Sequence, residues 1–295
     1  MSKEPTLIVL SSIPGSGKTH YAENYINDHP EYVIHSSDAL RKEMFGDETC
    51  QNDGDKVFTE LHRRIKEDLR NGKSVIYDAC NIHSKRRMAF LHELKNINCS
   101  KECHIIATPY EICLRNNWMR ERKIPDEVIY RMYTNWQTPW YFEGWDYIKV
   151  INNYIDYHRS ILYEGLVYYN QGNPHHTKTL GVHMLAAKEY MRSRGGDEIM
   201  ILAATWHDCG KCFTRSVGED GVCHYYNHHN VGAYDALSLY NLPLEVSALI
   251  TYHMAPFFWD ADKNPERLHD KYRHLWGDSF YNKVMLLHEA DVAAR

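Results

Sequence analysis

The stretch Ser12-Ile13-Pro14-Gly15-Ser16-Gly17-Lys18-Thr19 limits the fold more than any other, because it stands between the apolar run Thr6 to Leu10 and the helix-like segment Tyr21 to Ile26. Strand, tight loop and helix in that order let successive backbone N–H groups turn inward around phosphates. Gly15 and Gly17 supply the backbone freedom of the turn, although the pattern's first glycine is Ser12 here. In such a loop Pro14, Gly15, Ser16 and Gly17 wrap the phosphates. Lys18 brings positive charge to the β and γ oxygens, and the Thr19 hydroxyl reaches Mg²⁺. ATP or another nucleoside triphosphate, with Mg²⁺, is the expected ligand; the bland alternative is a Gly/Ser turn between strand and helix.

The residues that follow read as an α/β sheet of short strands. Tyr32 to His35 is a second strand, and Ser36-Ser37-Asp38-Ala39-Leu40-Arg41 stands at its end, where α/β sheets bind ligands. Either Asp38 is a base for an acceptor hydroxyl and Arg41 a phosphate clamp, or Asp38 caps a helix and Arg41 is exposed. Val57 to Leu69 has apolar residues at 57, 58, 61, 65 and 69, a helical period that stops at Asn71-Gly72. Ser74 to Asp78 is a third strand ending in a carboxylate. Asp78 either serves the Mg²⁺-nucleotide complex or orients the acceptor, with Asn81 in the same loop, or it caps the helix beginning near Ser84. His104 to Thr108 is a fourth strand. Glu111 to Met132, with Arg115, Arg120 and Arg122, reads as a lid over the triphosphate or as a solvated helix laced with ion pairs.

Residues 6 to about 150 resemble the kinase module of phage and bacterial polynucleotide 5'-kinases. The likeness rests on the Gly-Ser-Gly-Lys-Thr loop, Ser-Asp-x-x-Arg at 37 to 41, Asp-x-x-Asn at 78 to 81, and the arginines before Ile124-Pro125. It implies Asp38 as general base, Arg41 on the acceptor-side phosphate, and a lid arginine among Arg115, Arg120 and Arg122 on the donor. Asp78 and Asn81 are counted as substrate contacts. The same scaffold serves small-molecule and nucleoside kinases, so the acceptor is less fixed than the fold.

A chain of 295 residues has room for two domains. Tyr147 to Ile151 reads as the last strand of the sheet, and Asn170-Gln171-Gly172-Asn173-Pro174 is a breaker cluster. The expected division is a P-loop domain at 1–153, a linker at 154–172 and an all-α domain at 173–295. From His175 onward lie eleven of the 19 histidines. Val246, Leu249, Ile250 and His253 share one helical face, as do Val284, Leu287, His288 and Asp291. Imidazoles and a carboxylate on core-facing stripes are costly unless something satisfies them, and a metal centre would do so. A hydrogen-bonded core histidine is the alternative for any single one of them.

His183, the adjacent pair His207-Asp208 and Asp291 reproduce the His, His-Asp, Asp order of the HD phosphohydrolase family, and residues 175 to 295 resemble the HD domains attached to bacterial tRNA CCA-adding enzymes. The resemblance implies that His183, His207, Asp208 and Asp291 hold one metal and that Asp208 bridges to a second held by His228 and His253. One or two divalent ions (Mn, Fe, Ni, Co, Zn or Mg²⁺) are implied, with Lys211 either on a substrate phosphate or exposed. Cys209-x-x-Cys212 has no second Cys-x-x-Cys to complete a zinc knuckle.

The net charge of -5 excludes a broad basic surface, so nucleic acid would lie in a local groove beside Lys85-Arg86-Arg87 or Arg115 to Lys123. Scattered cysteines and no secretory leader at Met1 to Thr6 point to a cytoplasmic location, and no apolar stretch is long enough to cross a membrane. The expected activity is repair of nucleic-acid ends, RNA rather than DNA. A 5'-hydroxyl kinase would be joined to a hydrolase of 2',3'-cyclic or 3'-terminal phosphates. A nucleoside or nucleotide kinase fused to a nucleotide phosphohydrolase is the rival reading, and an ATP-dependent sensor the non-catalytic one.

Overall fold

Short apolar strands alternating with helices in the first half produce a five-stranded, all-parallel sheet in the order β2-β3-β1-β4-β5. The structure, a computed structural model, describes residues 4–47, 53–155, 163–174 and 177–295. The strands are β1 (Thr6–Ser11), β2 (Tyr32–Ser36), β3 (Ser74–Asp78), β4 (Ser100–Ile106) and β5 (Tyr147–Ile151). Between them run α1 (Lys18–Asp28), α2 (Ser37–Phe45), α3 (Gly54–Arg70), α4 (Ser84–Glu93), α5 (Tyr110–Trp118) and α6 (Asp126–Thr134). Parallel strands need such crossovers, and helices on the faces bury a sheet like this on both sides. Leu7, Ile8, Val9 and Leu10 of the central strand are accordingly buried, with Leu7 opposite Val75 on one side and Lys101 on the other. The fourth strand begins four residues earlier than its sequence pattern indicated, because Ser100, Lys101 and Glu102 pair with β1 through backbone groups that carry no apolar signature.

The helix α3 shows how the pattern becomes structure. Val57, Leu61, Ile65 and Leu69 are its buried stripe, while Arg63 and Arg64 reach Glu60, Glu67 and Glu43 on the outer face. Those outer pairs are exposed and contribute little. Phe58, counted with the apolar stripe in the sequence, is only half-buried and lies off it. Arg87 corrects another expectation. Rather than belonging to a basic patch for nucleic acid, its guanidinium is buried and forks onto Glu143 at 2.6 and 2.7 Å, while Trp145 donates to the same carboxylate. A guanidinium buried this deeply needs a carboxylate partner, and that bond removes it from the surface.

His104 on β4 is buried between α1 and Glu102. The Tyr21 hydroxyl donates to its Nδ1 at 2.9 Å and its Nε2 lies 3.1 Å from the Glu102 carboxylate. Burial, with Lys149 nearby, lowers its pKa to about 4. The neutral ring stabilises the fold above pH 6.5, and that contribution is lost as pH falls through the range from 6.5 to about 4, where the unfolded chain takes up the proton first. The expected loss is about 3 kcal/mol. A series of denaturant titrations between pH 7 and 4 on wild type and His104→Asn checks it: the variant should show a flatter pH dependence.

The chain divides into two compact units. The first contains the residues up to Ile129 with Pro139–Asn153, and the second Tyr130–Thr138 with Tyr154–Arg295. The second unit is built from α7 (Tyr163–Val167), α8 (Leu180–Ser193), α9 (Glu198–Trp206), α10 (Lys211–Thr214), α11 (His228–Ser238), α12 (Leu244–Tyr252), α13 (Ala255–Asp260) and α14 (Pro265–Ala293). The last is broken by Gly277, whose φ of 76° and ψ of 154° leave the helical region. The unit is not all-α, because β6 (Arg215–Val217) and β7 (Cys223–Tyr225) form a short antiparallel hairpin. Three paired residues in each strand are too few to register as a period-2 pattern.

Residues 130–138 were expected within the first domain but belong with the second unit. Tyr133 donates to Asp235 at 2.7 Å, Asn230 donates to the Thr134 carbonyl at 3.1 Å, and the Thr138 hydroxyl lies 2.7 Å from both Ser247 and Thr251. The expected linker 154–172 falls partly outside the described residues; α7 and Gln171 belong with the second unit. Among the described residues no helix is long and apolar enough to cross a membrane.

Candidate functional site

The carboxyl ends of β1, β2 and β3 open onto the loop 12–19, the crevice in which open α/β sheets bind ligands. Gly15 and Gly17 have φ of 82° and 91°, in the left-handed region, and a Cβ at Gly15 would stand 2.2 Å from the Cys113 carbonyl oxygen. Only glycine fits there. The loop is pinned from outside: Asn116 donates to the Gly15 carbonyl at 2.9 Å and Thr108 to the Ser16 carbonyl at 2.8 Å. Ser12, where the pattern has glycine, turns its hydroxyl onto the Ile106 carbonyl at 2.7 Å and is fully buried. Pro14 and Ser16 are buried in the same loop.

Lys18 is buried, and its ammonium donates to the Ile13 carbonyl at 2.8 Å and the Ser16 hydroxyl at 3.4 Å. Both partners are neutral. A buried cation whose hydrogen bonds go to neutral oxygens is incompletely compensated, so the loop's chemistry fits an anion such as a triphosphate. Thr19 donates to Asp78 Oδ2 at 2.8 Å, which joins the hydroxyl and carboxylate that would hold Mg²⁺. Burial raises the Asp78 carboxyl and the Lys18 charge opposes it.

Asp38 and Arg41 share the first turns of α2, with Arg41 2.9 Å from Asp38 Oδ1. Arg122 lies 3.3 Å from Asp38 Oδ2, a partner the sequence did not suggest. The cap of α2 is Ser36, whose hydroxyl is 3.5 Å from the Ala39 amide, so the side chain of Asp38 is not occupied in capping. Asn81 turns inward: its amide donates to the Leu10 carbonyl at 2.9 Å, which holds the loop after β3 against β1. Arg115 and Arg120 stand exposed on α5 and in the turn after it, apart from the Asp38 cluster that Arg122 joins.

The second unit gathers its candidates into one buried cluster. His183 comes from α8, His207 and Asp208 from the turn after α9, His228 from the start of α11, His253 from the end of α12 and Asp291 from α14. His183 Nε2 lies 3.1 Å from His207 Nε2, 3.2 Å from Asp208 Oδ2 and 3.2 Å from Asp291 Oδ1. His228 and His253 present their Nε2 atoms to the other oxygen, Asp208 Oδ1, at 3.1 and 3.7 Å. Each Nδ1 faces a backbone carbonyl: Ala294 at 3.3 Å, Ala204 at 2.9 Å, Tyr225 at 2.8 Å and Ile250 at 2.7 Å for His183, His207, His228 and His253. A carbonyl only accepts, so all four Nδ1 atoms carry hydrogen.

That tautomer leaves the lone pair of each neutral ring on Nε2. Lone pairs facing one another at 3.1 and 3.4 Å repel unless a cation or proton lies among them. The electrostatics point the same way. Burial disfavours charge on His183, yet Asp208 and Asp291 outweigh it and raise the imidazole to about 9. Burial likewise opposes ionisation of Asp208, but Lys211 and His207 hold it well below the usual carboxylate range. Residues His183, His207 and Asp208, and again Asp208, His228 and His253, each bring ligand atoms within 4.8 Å of one another. The donor set, with each ring oriented by a backbone carbonyl at Nδ1, therefore fits one or two divalent ions.

Close packing makes the cluster possible. A Cβ at Gly210, beside the His207-Asp208 turn, would stand 2.1 Å from the His228 carbonyl oxygen. Lys211 is buried, 2.6 Å from Asp208 Oδ2 and 2.9 Å from Gln171 Oε1, so of its two sequence readings exposure is excluded. Gln171, held in turn by the Lys178 carbonyl, gave no sequence signal beyond its place in a breaker cluster.

The fold and loop of the first unit define a P-loop nucleotide-binding α/β domain, and residues 7–139 match the family model described as AAA domain. Among curated proteins, L-seryl-tRNA(Sec) kinase of Methanococcus maripaludis is 27% identical over 145 residues, 48% of this chain and 56% of that protein. This chain thus spans little more than half of that relative's length. A solved structure of the Pnkp1/Rnl/Hen1 RNA repair complex is similar at 23% identity and a TM-score of 0.40, covering 44% of this chain and 43% of that one. A fungal RNA kinase structure is similar at 12% identity and a TM-score of 0.39, covering 50% and 38%.

Proposed function

We propose that the chain is a bifunctional enzyme of nucleic-acid ends. Its first unit would transfer the γ-phosphoryl group of ATP to a 5'-hydroxyl, and its second would hydrolyse 2',3'-cyclic or 3'-terminal phosphates, on RNA in preference to DNA. What supports this reading is that one chain carries two clusters suited to phosphate chemistry. One is a P-loop with the Asp38–Arg41–Arg122 cluster; the other is four imidazoles with tautomers fixed by carbonyls around Asp208. The curated relative is itself named a kinase.

In the transfer reaction Asp38 accepts the proton of the acceptor hydroxyl, and Arg41 orients both Asp38 and an acceptor phosphate. Lys18 and a lid arginine, Arg122 by its position against Asp38, meet the charge on the transferring group. In the second unit the ions, when bound, supply an activated water and neutralise a phosphoester oxygen. There Asp208 offers one oxygen to each trio of ligands, Asp291 completes the first, and Lys211 keeps Asp208 ionised.

Two assays test the pair. Labelled γ-phosphate should pass to a 5'-hydroxyl oligonucleotide, and in metal-dependent reactions a 2',3'-cyclic phosphate should be opened by water to a monoester and a 3'-phosphate released as inorganic phosphate. Asp38→Asn should lower kcat of transfer about 10²- to 10⁴-fold while equilibrium binding of ATP is retained. Better use of free nucleosides than of oligonucleotides at equal concentration would favour the nucleoside-kinase reading instead.

A further inference from the structure

Arg41 has a second neighbour that the transfer chemistry does not use. Its guanidinium carbon sits 5.8 Å from the centre of the Phe58 ring, and its Nε is buried with no hydrogen-bond partner. Phe58 in turn lines a cavity of about 330 Å³ with Asp55, Thr59, His62, Lys66 and Glu93. The cavity lies along the flank of α3 that meets the last residue of α4, Glu93, beside the buried stripe Val57, Leu61, Ile65 and Leu69 and apart from the outer face of Arg63 and Arg64. Phe58 is thus the residue that meets both the cavity and Arg41 of the Asp38–Arg41 cluster.

The lining is selective in its chemistry. Lys66 is paired with Glu93 at 2.6 Å and the Thr59 hydroxyl donates to the Asp55 carbonyl at 2.7 Å. His62 lies 3.3 Å from both Glu93 and Tyr77 OH and rests on Phe90 with ring centres 4.1 Å apart. The polar groups are thus largely committed to one another, a poor arrangement for a polyhydroxylated or acidic small molecule. Two aromatic rings, Phe58 and His62, with centres 6.4 Å apart, remain as the apolar part of the wall. A flat ring with polar edges suits such a site, and stacking on an aromatic side chain is tolerant of which base it meets.

We infer that this cavity is the acceptor subsite, taking the 5'-terminal nucleoside with its base against Phe58 and the adjoining phosphate at Arg41. The inference rests on the kinase reading and narrows it to acceptors that carry a base. Phe58 is a binding residue here, and the acceptor hydroxyl is presented to Asp38 from its side of the crevice.

The experiment compares two oligonucleotide acceptors that share a 5'-hydroxyl and sequence, one with a normal first nucleotide and one abasic there. Wild-type enzyme should show a KM about tenfold lower for the base-bearing strand, with the difference in KM rather than in kcat. Phe58→Ala should shrink that ratio toward one, and Phe58→Tyr should preserve it. Thermal melting and ATP binding establish that the variants fold, and Phe58→Leu serves if the alanine variant does not. Equal KM values for the two strands in wild type, or a full preference surviving in folded Phe58→Ala, would overturn the subsite and leave the kinase reading intact. No transfer to any 5'-hydroxyl strand would overturn both.

Discussion

Replacing Lys18 by alanine is expected to lower phosphoryl transfer at least about 10²- to 10³-fold while hydrolysis of phosphoesters continues at its wild-type rate. The ammonium is buried and its hydrogen bonds go to the neutral Ile13 carbonyl and Ser16 hydroxyl, with the Asp78 carboxyl near enough to feel its charge, so it is available to an incoming anion. Removing it takes away the group that meets the β and γ oxygens and should weaken the transition state more than the fold. Parallel assays of transfer to a 5'-hydroxyl strand and of hydrolysis of a generic phosphoester check this. Loss of both activities in a folded variant would contradict independent sites.

The second large effect is expected at Asp208. Its two oxygens face different imidazoles, His183 and His207 at Oδ2 and His228 and His253 at Oδ1, so it links both pairs of rings. Asp208→Ala should abolish hydrolysis and remove bound metal, as read by elemental analysis. It also leaves the Lys211 ammonium buried without its carboxylate, with an expected cost of about 3–5 kcal/mol in unfolding free energy. Asp208→Asn separates the two consequences: it keeps the shape and an oxygen for Lys211, yet weakens metal binding. Kinase activity retained in the Asn variant, with metal content lost, is the expected result. Full metal content in that variant would remove Asp208 from the ligand set.

Much of the first unit was legible because its signals are local. The apolar run before residue 12, the glycines at 15 and 17 and the lysine after them announce strand, loop and helix within about twenty residues. The third strand, Ser74–Asp78, has the limits its sequence pattern gave. The buried Arg87–Glu143 pair was not legible. A run of three basic residues looks the same whether its last member is solvated or joined to a carboxylate 56 positions away. The assignment of 130–138 was likewise invisible, since the aromatic and polar residues there carry no mark of the helices they meet.

The histidine-rich second half divides in the same way. Periodicity placed His253 and Asp291 on core-facing stripes of helices, and both are buried, as is the adjacent pair His207-Asp208. Which oxygen of Asp208 meets which ring, and which backbone carbonyl fixes each tautomer, depended on contacts between distant positions, such as His183 with His207 at a separation of 24 and with Ala294 at 111. The sequence by itself determined the phosphate loop, the strand and helix periods and the types of group available for ligation. The tertiary structure alone decided that Lys211 is buried on Asp208, that Arg122 meets Asp38 and that Phe58 meets both Arg41 and a cavity. The physical reason is that residue type and spacing encode what a side chain can do, whereas its partner is chosen by packing between elements that are remote along the chain.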